Sequence, residues 1–398
     1  MNLSKNSWLL IAITSIHSVI ELFLNTFLVS YFLNLTNNNI VPTAIFYIFT
    51  YLIPLWGFAL IGPFVKNGKK IKVYRTSFIL SALSLLLIIH LKESVTDYIW
   101  FLGIVIGIEK VLFYFPQNLL TSEIAKGGQV VKFNGYQMAI TGFLRIIAPI
   151  VLGWFITMDS FINTAVFVLA LTILEFILSN MLTKIKSVSK PFNIKALFVL
   201  ALKRKKIKIS MGIEVFRGIT FDILDTLIVL YIIYMFKTDF KLGILTSIFA
   251  ICSVIANALL GRFCKITSFG SLLIVCSLLS FLGTVYFVFN TSEFSFIVYN
   301  LVFASAAQLI RTVTTINMYK VSQSKSVAST YRAEYLALRE FFLNLGRIIG
   351  FGLVIWAAVC QDANMLKYLI LMLSILIIVV GYMSVILSHW ISETENKC

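Results

Sequence analysis

The sequence predicts an all-α integral membrane protein, with twelve transmembrane helices arranged as two pseudo-symmetric six-helix bundles around a central cavity. Three observations support this fold class: an apolar composition, twelve long apolar runs and an internal repeat. The 398 residues are 59% hydrophobic and 13% charged, with a mean hydropathy of +0.94. Soluble domains carry roughly 45–50% apolar and about 25% charged residues. A chain with this apolar composition is expected to lie in a lipid bilayer.

Twelve apolar runs are long enough to cross a bilayer, which takes about 20 mostly apolar residues per helix. We expect all of them to be helices, because an open sheet would leave backbone groups unpaired in lipid. The first run begins at Trp8 and is too long for a cleavable signal peptide. The predicted spans are residues 8–33, 41–65, 73–92, 97–119, 133–158, 160–183, 208–236, 241–263, 268–290, 294–319, 333–359 and 365–390.

The basic residues orient these spans. With the N-terminus in the cytoplasm, 23 of the 33 Lys and Arg fall in cytoplasmic loops or tails, four fall outside and six fall within spans. Basic loops favour the cytoplasmic side, so both termini of this multi-pass cell-membrane protein are predicted to be cytoplasmic. The net charge of +16 is then a feature of topology, and no nucleic-acid partner is expected. The bias towards Lys, Ile and Asn suggests a bacterial genome.

The two halves of the chain repeat each other. Leu144–Trp154, with the sequence LRIIAPIVLGW, returns 202 residues later as Gly346–Trp356, GRIIGFGLVIW. Gly62 and Gly261, 199 residues apart, each precede a short basic turn at the end of a span. Six-helix repeats of parallel topology are one known plan of secondary transporters, so the repeat predicts two halves of six helices.

The longest loop divides the spans six and six. It contains nine Lys and Arg and the stretch KPFNIKALFVLALKRKKIK. Its apolar stripe between lysines is typical of an amphipathic helix at the lipid surface, and an ordinary basic linker is the alternative. The predicted organisation is an N-terminal six-helix bundle at 1–183, a cytoplasmic basic amphipathic linker at 184–209, a C-terminal six-helix bundle at 210–390 and a cytoplasmic tail at 391–398.

In these features the chain resembles the major facilitator superfamily over essentially its whole length. The loop after the second span matches a family motif at Gly62, Gly68, Lys69 and Lys70. Lys66 or Asn67 stands where that motif has an acidic residue, and Ala148, Pro149 and Gly153 fit the family's antiporter motif loosely. The resemblance implies a monomer whose central cavity is lined by spans one, four, seven and ten.

Polar side chains within the apolar runs concentrate on those same four spans, a distribution that the span count did not assume. A hydrogen-bonded interior histidine is the alternative for the histidine of span one. The predicted substrate cavity contains His17, Asn25, Glu109, Lys110, Tyr114, Gln117, Arg217, Gln308 and Arg311.

Three carboxyl groups are candidates for proton coupling. A lone carboxylate in lipid is unfavourable by a few kcal/mol, so Glu21 should face water or a partner. Asp222 and Asp225 are three residues apart on one helical face, and two nearby carboxylates disfavour double ionisation. The alternatives are structural ion pairs, for Glu21 and, with Arg311 or Lys110, for the aspartates.

Spans five and eleven carry a further polar group. The stretch REFFLNLGR is interpreted as a seam whose ion pairs form and break during transport, with static packing as the alternative. Glu214 and Arg217 are expected to pair within their helix, and Glu175 has no partner apparent in the sequence. The predicted gate residues are Arg145, Arg339, Glu340, Asn344 and Arg347.

These observations predict a secondary active transporter that works by alternating access and is coupled to protons. No GxxxxGK[ST] motif, CxxC spacing, HExxH motif or nucleophile–base pattern occurs, so neither a cofactor, a metal site nor an enzyme is expected. The antiporter-like stretch and an apolar cavity favour proton antiport and efflux of an amphipathic small molecule. Cavity charges of both signs argue against a purely cationic substrate and permit a zwitterion or an anion. The alternatives are proton-coupled uptake of a nutrient, and a transport-inactive membrane sensor or immunity-type partner.

Overall fold

A computed structural model of the chain describes residues 3–124, 129–183, 192–193, 195, 199, 205–263, 269–323, 331–360 and 364–395. Regular structure in these ranges is helical throughout, as the sequence predicts. Most of the predicted amphipathic linker at 184–209, and the end of the predicted tail at 396–398, lie outside the described residues.

Among the described residues, seven α-helices precede the predicted linker. Their bounds are α1 Lys5–Leu22, α2 Leu28–Leu35, α3 Ile40–Phe64, α4 Lys70–Leu91, α5 Ile99–Ile124, α6 Gln129–Met158 and α7 Phe161–Asn180. Short π-helical segments, Phe23–Phe27 and Val65–Lys69, join α1 to α2 and α3 to α4. A 3₁₀ segment at Lys92–Tyr98 joins α4 to α5.

In the described part of the chain from Lys205 onward there are six helices, the first of which begins within the predicted linker. Their bounds are α8 Lys205–Phe236, α9 Asp239–Phe263, α10 Phe269–Phe289, α11 Glu293–Gln323, α12 Arg332–Val359 and α13 Met365–Glu395. Within the described residues, eleven helical segments are long and apolar enough to cross a membrane. One of them, Lys70–Thr121, is 52 residues long because it contains both α4 and α5.

Side-chain caps mark where several helices begin. Ser4 Oγ accepts a hydrogen bond from the backbone N–H of Ser7 at the start of α1, and Ser160 Oγ accepts one from Asn163 at the start of α7. Such caps satisfy backbone donors that lack partners in the first turn of a helix. Arg75 on α4 donates to the carbonyl oxygens of Ser179 and Asn180, at 3.2 and 3.3 Å, at the other end of α7.

The chain divides into two compact units. The first contains Met1–Phe192 together with Val229–Ser247, the end of α8 and the beginning of α9. Within this unit Ser30 Oγ donates a 2.5 Å hydrogen bond to Asp239 Oδ1. Its core contains Leu10, Tyr74 and Phe113, from α1, α4 and α5, all at most 1% exposed. The second unit contains Asn193–Ile228 and Ile248–Cys398.

In the second unit, α10 packs on α11 and α13. Asn317 on α11 donates a 2.7 Å hydrogen bond to Ser388 Oγ on α13, which ties these two helices together by a polar contact. Aromatic rings fill the space between α10 and α11, where Phe287 stacks on Tyr299 with ring centroids 5.5 Å apart. Polar side chains of α8 contact those of α11 and of α12 in this unit.

Candidate functional site

An ion pair joins α1 and α5 in the first unit. Glu21 Oε1 accepts hydrogen bonds from Lys110 Nζ at 3.2 Å and from the Tyr114 hydroxyl at 2.5 Å. The Glu21 side chain is 29% exposed and that of Lys110 is 12% exposed. The α-helix widens into the π-helical segment Phe23–Phe27 directly after Glu21, a distortion that often occurs at functional sites.

The structure places the other predicted residues of this unit in three environments. His17, Glu109 and Gln117 are buried, and Gln117 donates a hydrogen bond of 3.2 Å to Thr14 Oγ1. Asn25 is half-buried, and its carbonyl oxygen accepts a hydrogen bond from a tyrosine of α3. Arg145, predicted for the gate, is exposed on α6. The substrate and gate roles of these residues stay predictions.

In the second unit, both aspartates of α8 have arginine partners. Arg347 on α12 donates through Nε and Nη2 to the two carboxylate oxygens of Asp222, at 3.0 and 3.1 Å. Arg311 on α11 donates to Asp225 Oδ2 at 2.7 Å, and its guanidinium lies over the Phe221 ring. The ion pairing that the sequence left open as an alternative for Asp225 and Arg311 is therefore present.

Glu214 of α8 is the most buried carboxylate among the described ion pairs of this unit. Its side chain is 1% exposed and pairs with Arg217 at 3.1 Å and with Arg339 at 3.2 Å. The expected pairing of Glu214 with Arg217 within α8 is present, and α12 adds a second guanidinium. Arg339 also contacts Glu340 at 2.7 Å.

Asn344 links the two ends of the polar face of α12. Its side-chain amide donates to the backbone carbonyl of Glu340 at 2.7 Å, and its side-chain oxygen accepts from Arg347 at 3.1 Å. Glu340, Asn344 and Arg347 therefore lie on one face of α12. On α11, Gln308 contacts Thr312, whose hydroxyl donates to Asn257 Oδ1 at 2.8 Å.

Close helix contact brings these charges together. A Cβ placed on Gly346 would overlap the carbonyl oxygen of Val215, and one on Gly218 would overlap that of Leu343. Helices α8 and α12 therefore cross where both lack side chains, which is how small residues allow backbones to approach in membranes. Gly352 faces open space and takes no part in this contact.

The predicted loop motif lies at the π-helical segment after α3. Gly68 has φ of +83°, a left-handed conformation that favours glycine. A Cβ on Gly62 would meet the ring of Phe192, and Lys66 Nζ lies 5.5 Å from the centroid of that ring. Lys69 is exposed, whereas Lys70 is 2% exposed. Gly62 is therefore required for close contact and Gly68 for backbone conformation.

Comparison with known proteins identifies the family. A family model for the Major Facilitator Superfamily matches residues 10–350. The chain belongs to the Major Facilitator Superfamily. The uncharacterized protein YqgE of Bacillus subtilis (strain 168) is 22% identical to this chain over 353 residues, covering 88% of this chain and 82% of that protein.

Solved structures share the fold of this superfamily member at low sequence identity. A bacterial homologue of the iron transporter ferroportin, in an inward-facing state, has a TM-score of 0.70 and 14% identity, over 98% of this chain and all of that chain. The nucleoside transporter NupG has a TM-score of 0.71 and 13% identity, over 98% and 99%. A further bacterial metal transporter has a TM-score of 0.65 and 12% identity, over 98% and 100%.

Superfamily membership fixes the general activity. The chain is a multi-pass membrane transporter of a small molecule and is not an enzyme, as the sequence predicted. Among the described residues, no group of three or more His, Cys, Asp and Glu side chains is arranged to bind a metal ion.

Four residues of these polar regions were not predicted as site residues from the sequence. Glu175, left without a partner, lies 3.4 Å from His17 Nδ1, and Tyr74 is buried in the same region. Asn257 accepts the hydrogen bond of Thr312, and Phe192 contacts the loop motif. Glu175 carried a signal in the sequence, because an ionisable group inside a membrane helix needs a partner.

Proposed function

We propose that this protein is a secondary active transporter that works by alternating access, and that protons drive it. The observation that carries the proposal is a set of three ion pairs within apolar helices whose side chains remain partly exposed. They are Glu21–Lys110, Asp222–Arg347 and Asp225–Arg311, with carboxylate exposures of 29%, 29% and 51%. Charged groups at such depth in a membrane protein mark substrate or ion pathways.

The proposal includes twelve membrane crossings in two pseudo-symmetric halves of six. Helices α4 and α5 have 22 and 26 residues, and each is long enough to cross a bilayer alone, which takes about 20 residues. The polar residues Lys92 to Asp97 between them are exposed apart from Val95 and half-buried Thr96. With two crossings there, both termini lie in the cytoplasm and the basic linker at 184–209 separates the halves.

The proposed substrate is an amphipathic or zwitterionic compound. Each exposed ion pair consists of one positive and one negative side chain. A substrate that carries both charges can separate the pair by binding each side chain with its group of opposite charge. A purely cationic substrate would leave Lys110, Arg311 and Arg347 without compensation, which is unfavourable in a low dielectric. Mixed charge in both units therefore favours a molecule that carries both signs.

The proposed coupling uses Glu21, Asp222 and Asp225. A proton that binds to one of these carboxylates removes its negative charge and weakens its hold on Lys110 or an arginine. A substrate whose cationic group is bound to the same carboxylate loses that contact and is displaced. Competition between a proton and the substrate for the same ion pair is the requirement of proton antiport, so we propose export.

The proposed gate is the polar face of α12. Arg339, Glu340, Asn344 and Arg347 form one continuous set of contacts with Glu214 and Asp222 of α8. Because Arg347 belongs both to this set and to an exposed ion pair, protonation of Asp222 would change the contacts of α12. The exposed Arg145 of α6 is the proposed gate residue of the first unit.

Proton flux in liposomes tests this proposal. Purified protein is reconstituted with a pH-sensitive dye inside, and zwitterionic drugs, amino acids, nucleosides and divalent metal ions are added in turn. We expect substrate-triggered proton movement in the wild type and its loss in the Glu21→Gln, Asp222→Asn variant. The matched control is Glu93→Gln, Asp97→Asn, because both of these acidic residues are exposed in the Lys92–Tyr98 segment.

The sign of the flux separates the alternatives. Protons that move opposite to the substrate support export by antiport, and protons that move with it support nutrient uptake instead. Substrate movement without proton movement would overturn the coupling. Absence of any flux, in folded protein that still binds a compound, would favour the transport-inactive sensor.

A further inference from the structure

The imidazole of His17 lies between two carboxyl groups. Its Nε2 atom is 3.7 Å from Glu109 Oε1 of α5, and its Nδ1 atom is 3.4 Å from Glu175 Oε1 of α7. The ring stacks on Phe113 with centroids 3.4 Å apart. The side chains of His17, Glu109 and Glu175, here called the buried cluster, are only 7%, 5% and 0% exposed.

Several polar atoms of this region have no hydrogen-bond partner among the described residues. They are His17 Nδ1, Glu109 Oε1, both carboxyl oxygens of Glu175 and the Tyr74 hydroxyl. Buried polar groups are nearly always satisfied, and each exception calls for an explanation such as an unseen ion. A carboxylate sealed in an apolar surrounding relieves this cost most directly by binding a proton.

The charged neighbours leave the buried cluster with excess negative charge. On α1 and α5, Glu21 and Lys110 neutralise each other. On α4, Tyr74 is buried with its ring centroid 5.2 Å from that of Phe113, and it is neutral, whereas Arg145 of α6 is exposed.

Even a charged His17 imidazolium compensates only one of the two carboxylates. One negative charge therefore remains within the buried cluster.

A single metal ion cannot satisfy the buried cluster. Glu109 faces Nε2 of His17, whereas Glu175 faces Nδ1. The lone pairs of these two nitrogens point away from each other, so one ion cannot bind the imidazole and both carboxylates. Two separate proton positions, one on each side of the ring, fit the geometry instead.

We propose that His17, Glu109 and Glu175 form an internal proton-storage site, separate from the exposed Glu21–Lys110 pair. On loading, a proton from solvent or from Glu21 forms an O–H bond with a carboxyl oxygen of Glu109 or Glu175, and the charge of the site changes from −1 to zero. Because the imidazolium can donate a proton from one nitrogen to one carboxylate and then accept a proton at the other nitrogen, His17 connects the two carboxyls. The inference rests on the proposed proton coupling, since the stored proton is then the coupling ion.

Direct proton counting tests the storage site without any transport. Purified protein in detergent is titrated from about pH 5.5 to 9, where exposed carboxyls have already ionised, and the protons released are compared between variants. We expect the wild type to release about one proton more per molecule than Glu175→Gln. Glu93→Gln, which removes an exposed carboxyl, should release as many protons as the wild type.

The ring of His17 provides a second readout. The chain has three histidines, so ¹⁵N-histidine labelling gives few signals, and His90→Gln and His389→Gln assign them. We expect the His17 signals to shift together with the proton release of the wild type and not to do so in Glu175→Gln. If Glu175→Gln does not fold, Glu109→Gln removes the other carboxyl and should abolish the same proton.

Three results would overturn the storage site. Equal proton release in wild type and folded Glu175→Gln would make the buried cluster a static packing element. Proton release that Na⁺ or Mn²⁺ provokes in the wild type only would make it a metal-cation site. His17 signals that do not change over the titration would disconnect the ring from the stored proton.

The liposome assay distinguishes failure of the storage site from failure of the proposed function. Proton release that depends on Glu175, without substrate-driven flux, supports storage and overturns proton-coupled transport. Coupled flux in the wild type, together with wild-type proton release in Glu175→Gln, supports proton-coupled transport and overturns the storage site.

Discussion

At the scale of single residues, the ion pair of Glu21 and Lys110 gives a prediction about stability. Lys110→Gln leaves Glu21 with only the Tyr114 hydroxyl, so we expect a loss of about 1–3 kcal/mol in the free energy of unfolding. Adding Glu21→Gln removes the uncompensated charge and should restore part of that loss. Thermal unfolding of both single variants and the double variant, analysed as a cycle, measures the interaction. Strictly additive losses would mean that the pair does not stabilise the fold.

The sequence predicted ion pairs within one helix better than those between helices. Glu214 and Arg217 are three residues apart, so helix geometry alone indicates their contact. Asp222 and Arg347 are 125 residues apart in the chain, and their contact depends on how α8 packs against α12. Glu175 could not be matched with His17 for the same reason, although a lone carboxyl in an apolar helix indicated that a partner exists.

At the scale of helices, the crossing of α8 and α12 gives a second prediction. Gly346→Ala would place a methyl group against the backbone of Val215, so the helices must separate, and overpacking of this kind costs about 1–3 kcal/mol or more. Gly352→Ala is the matched control, because its new methyl group meets open space and alanine favours the helix by up to about 1 kcal/mol. The melting temperatures of the two variants in detergent are compared. Equal stability would contradict the close crossing.

The contact between α4 and the end of α7 gives a third prediction. Arg75→Met removes the donor to the Ser179 and Asn180 carbonyls, which lie at a helix end where such groups lack internal partners. We expect a loss of about 1 kcal/mol, as for a typical hydrogen bond, measured by thermal unfolding. Lys69→Met removes a positive charge at an exposed position and is the control. An equal loss of stability in both variants would mean that the hydrogen bonds from Arg75 to the end of α7 do not stabilise the fold.

Hydropathy located the helices but not their ends. The predicted span 97–119 corresponds to α5, Ile99–Ile124, and the predicted span 294–319 corresponds to α11, Glu293–Gln323. Both helices continue into polar residues, because backbone hydrogen bonds extend beyond the part of a helix that lipid requires to be apolar. The π-helical segments at Phe23–Phe27 and Val65–Lys69 had no signal in the apolar pattern.

At the scale of the whole molecule, topology gives a fourth prediction. Single cysteines are introduced at Lys69, Lys92 and Lys132, all exposed, in a chain whose five native cysteines are replaced by serine. With two crossings between Lys70 and Thr121, a membrane-impermeant thiol reagent should label position 92 in intact cells. Positions 69 and 132 should react only after permeabilisation. If only one of positions 69 and 132 reacted in intact cells, the two positions would lie on opposite sides of the membrane, and the segment Lys70–Thr121 would cross it only once.

The fold class was the part of the molecule that the sequence predicted most fully. Apolar runs of about 20 residues leave few alternatives to membrane helices, and the repeat of Arg145 and Arg347 in similar stretches indicated two halves. The compact units place Val229–Ser247 with the first half of the chain, however. The repeat gives no indication of this, because membership of a unit depends on tertiary contacts.

The balanced ion pairs of the second unit have an electrical consequence. Four carboxylates, Glu214, Asp222, Asp225 and Glu340, are paired with four guanidiniums. Moving one elementary charge across a membrane potential of 100 mV changes the free energy by about 2.3 kcal/mol. A set of side chains with no net charge contributes nothing to this free energy when it moves as a whole. Motion of this set as a whole therefore adds no voltage dependence of its own. Under the proposed coupling, the dependence of the transport rate on voltage would report the charge moved outside this set, by the cargo, the coupled protons and the first unit.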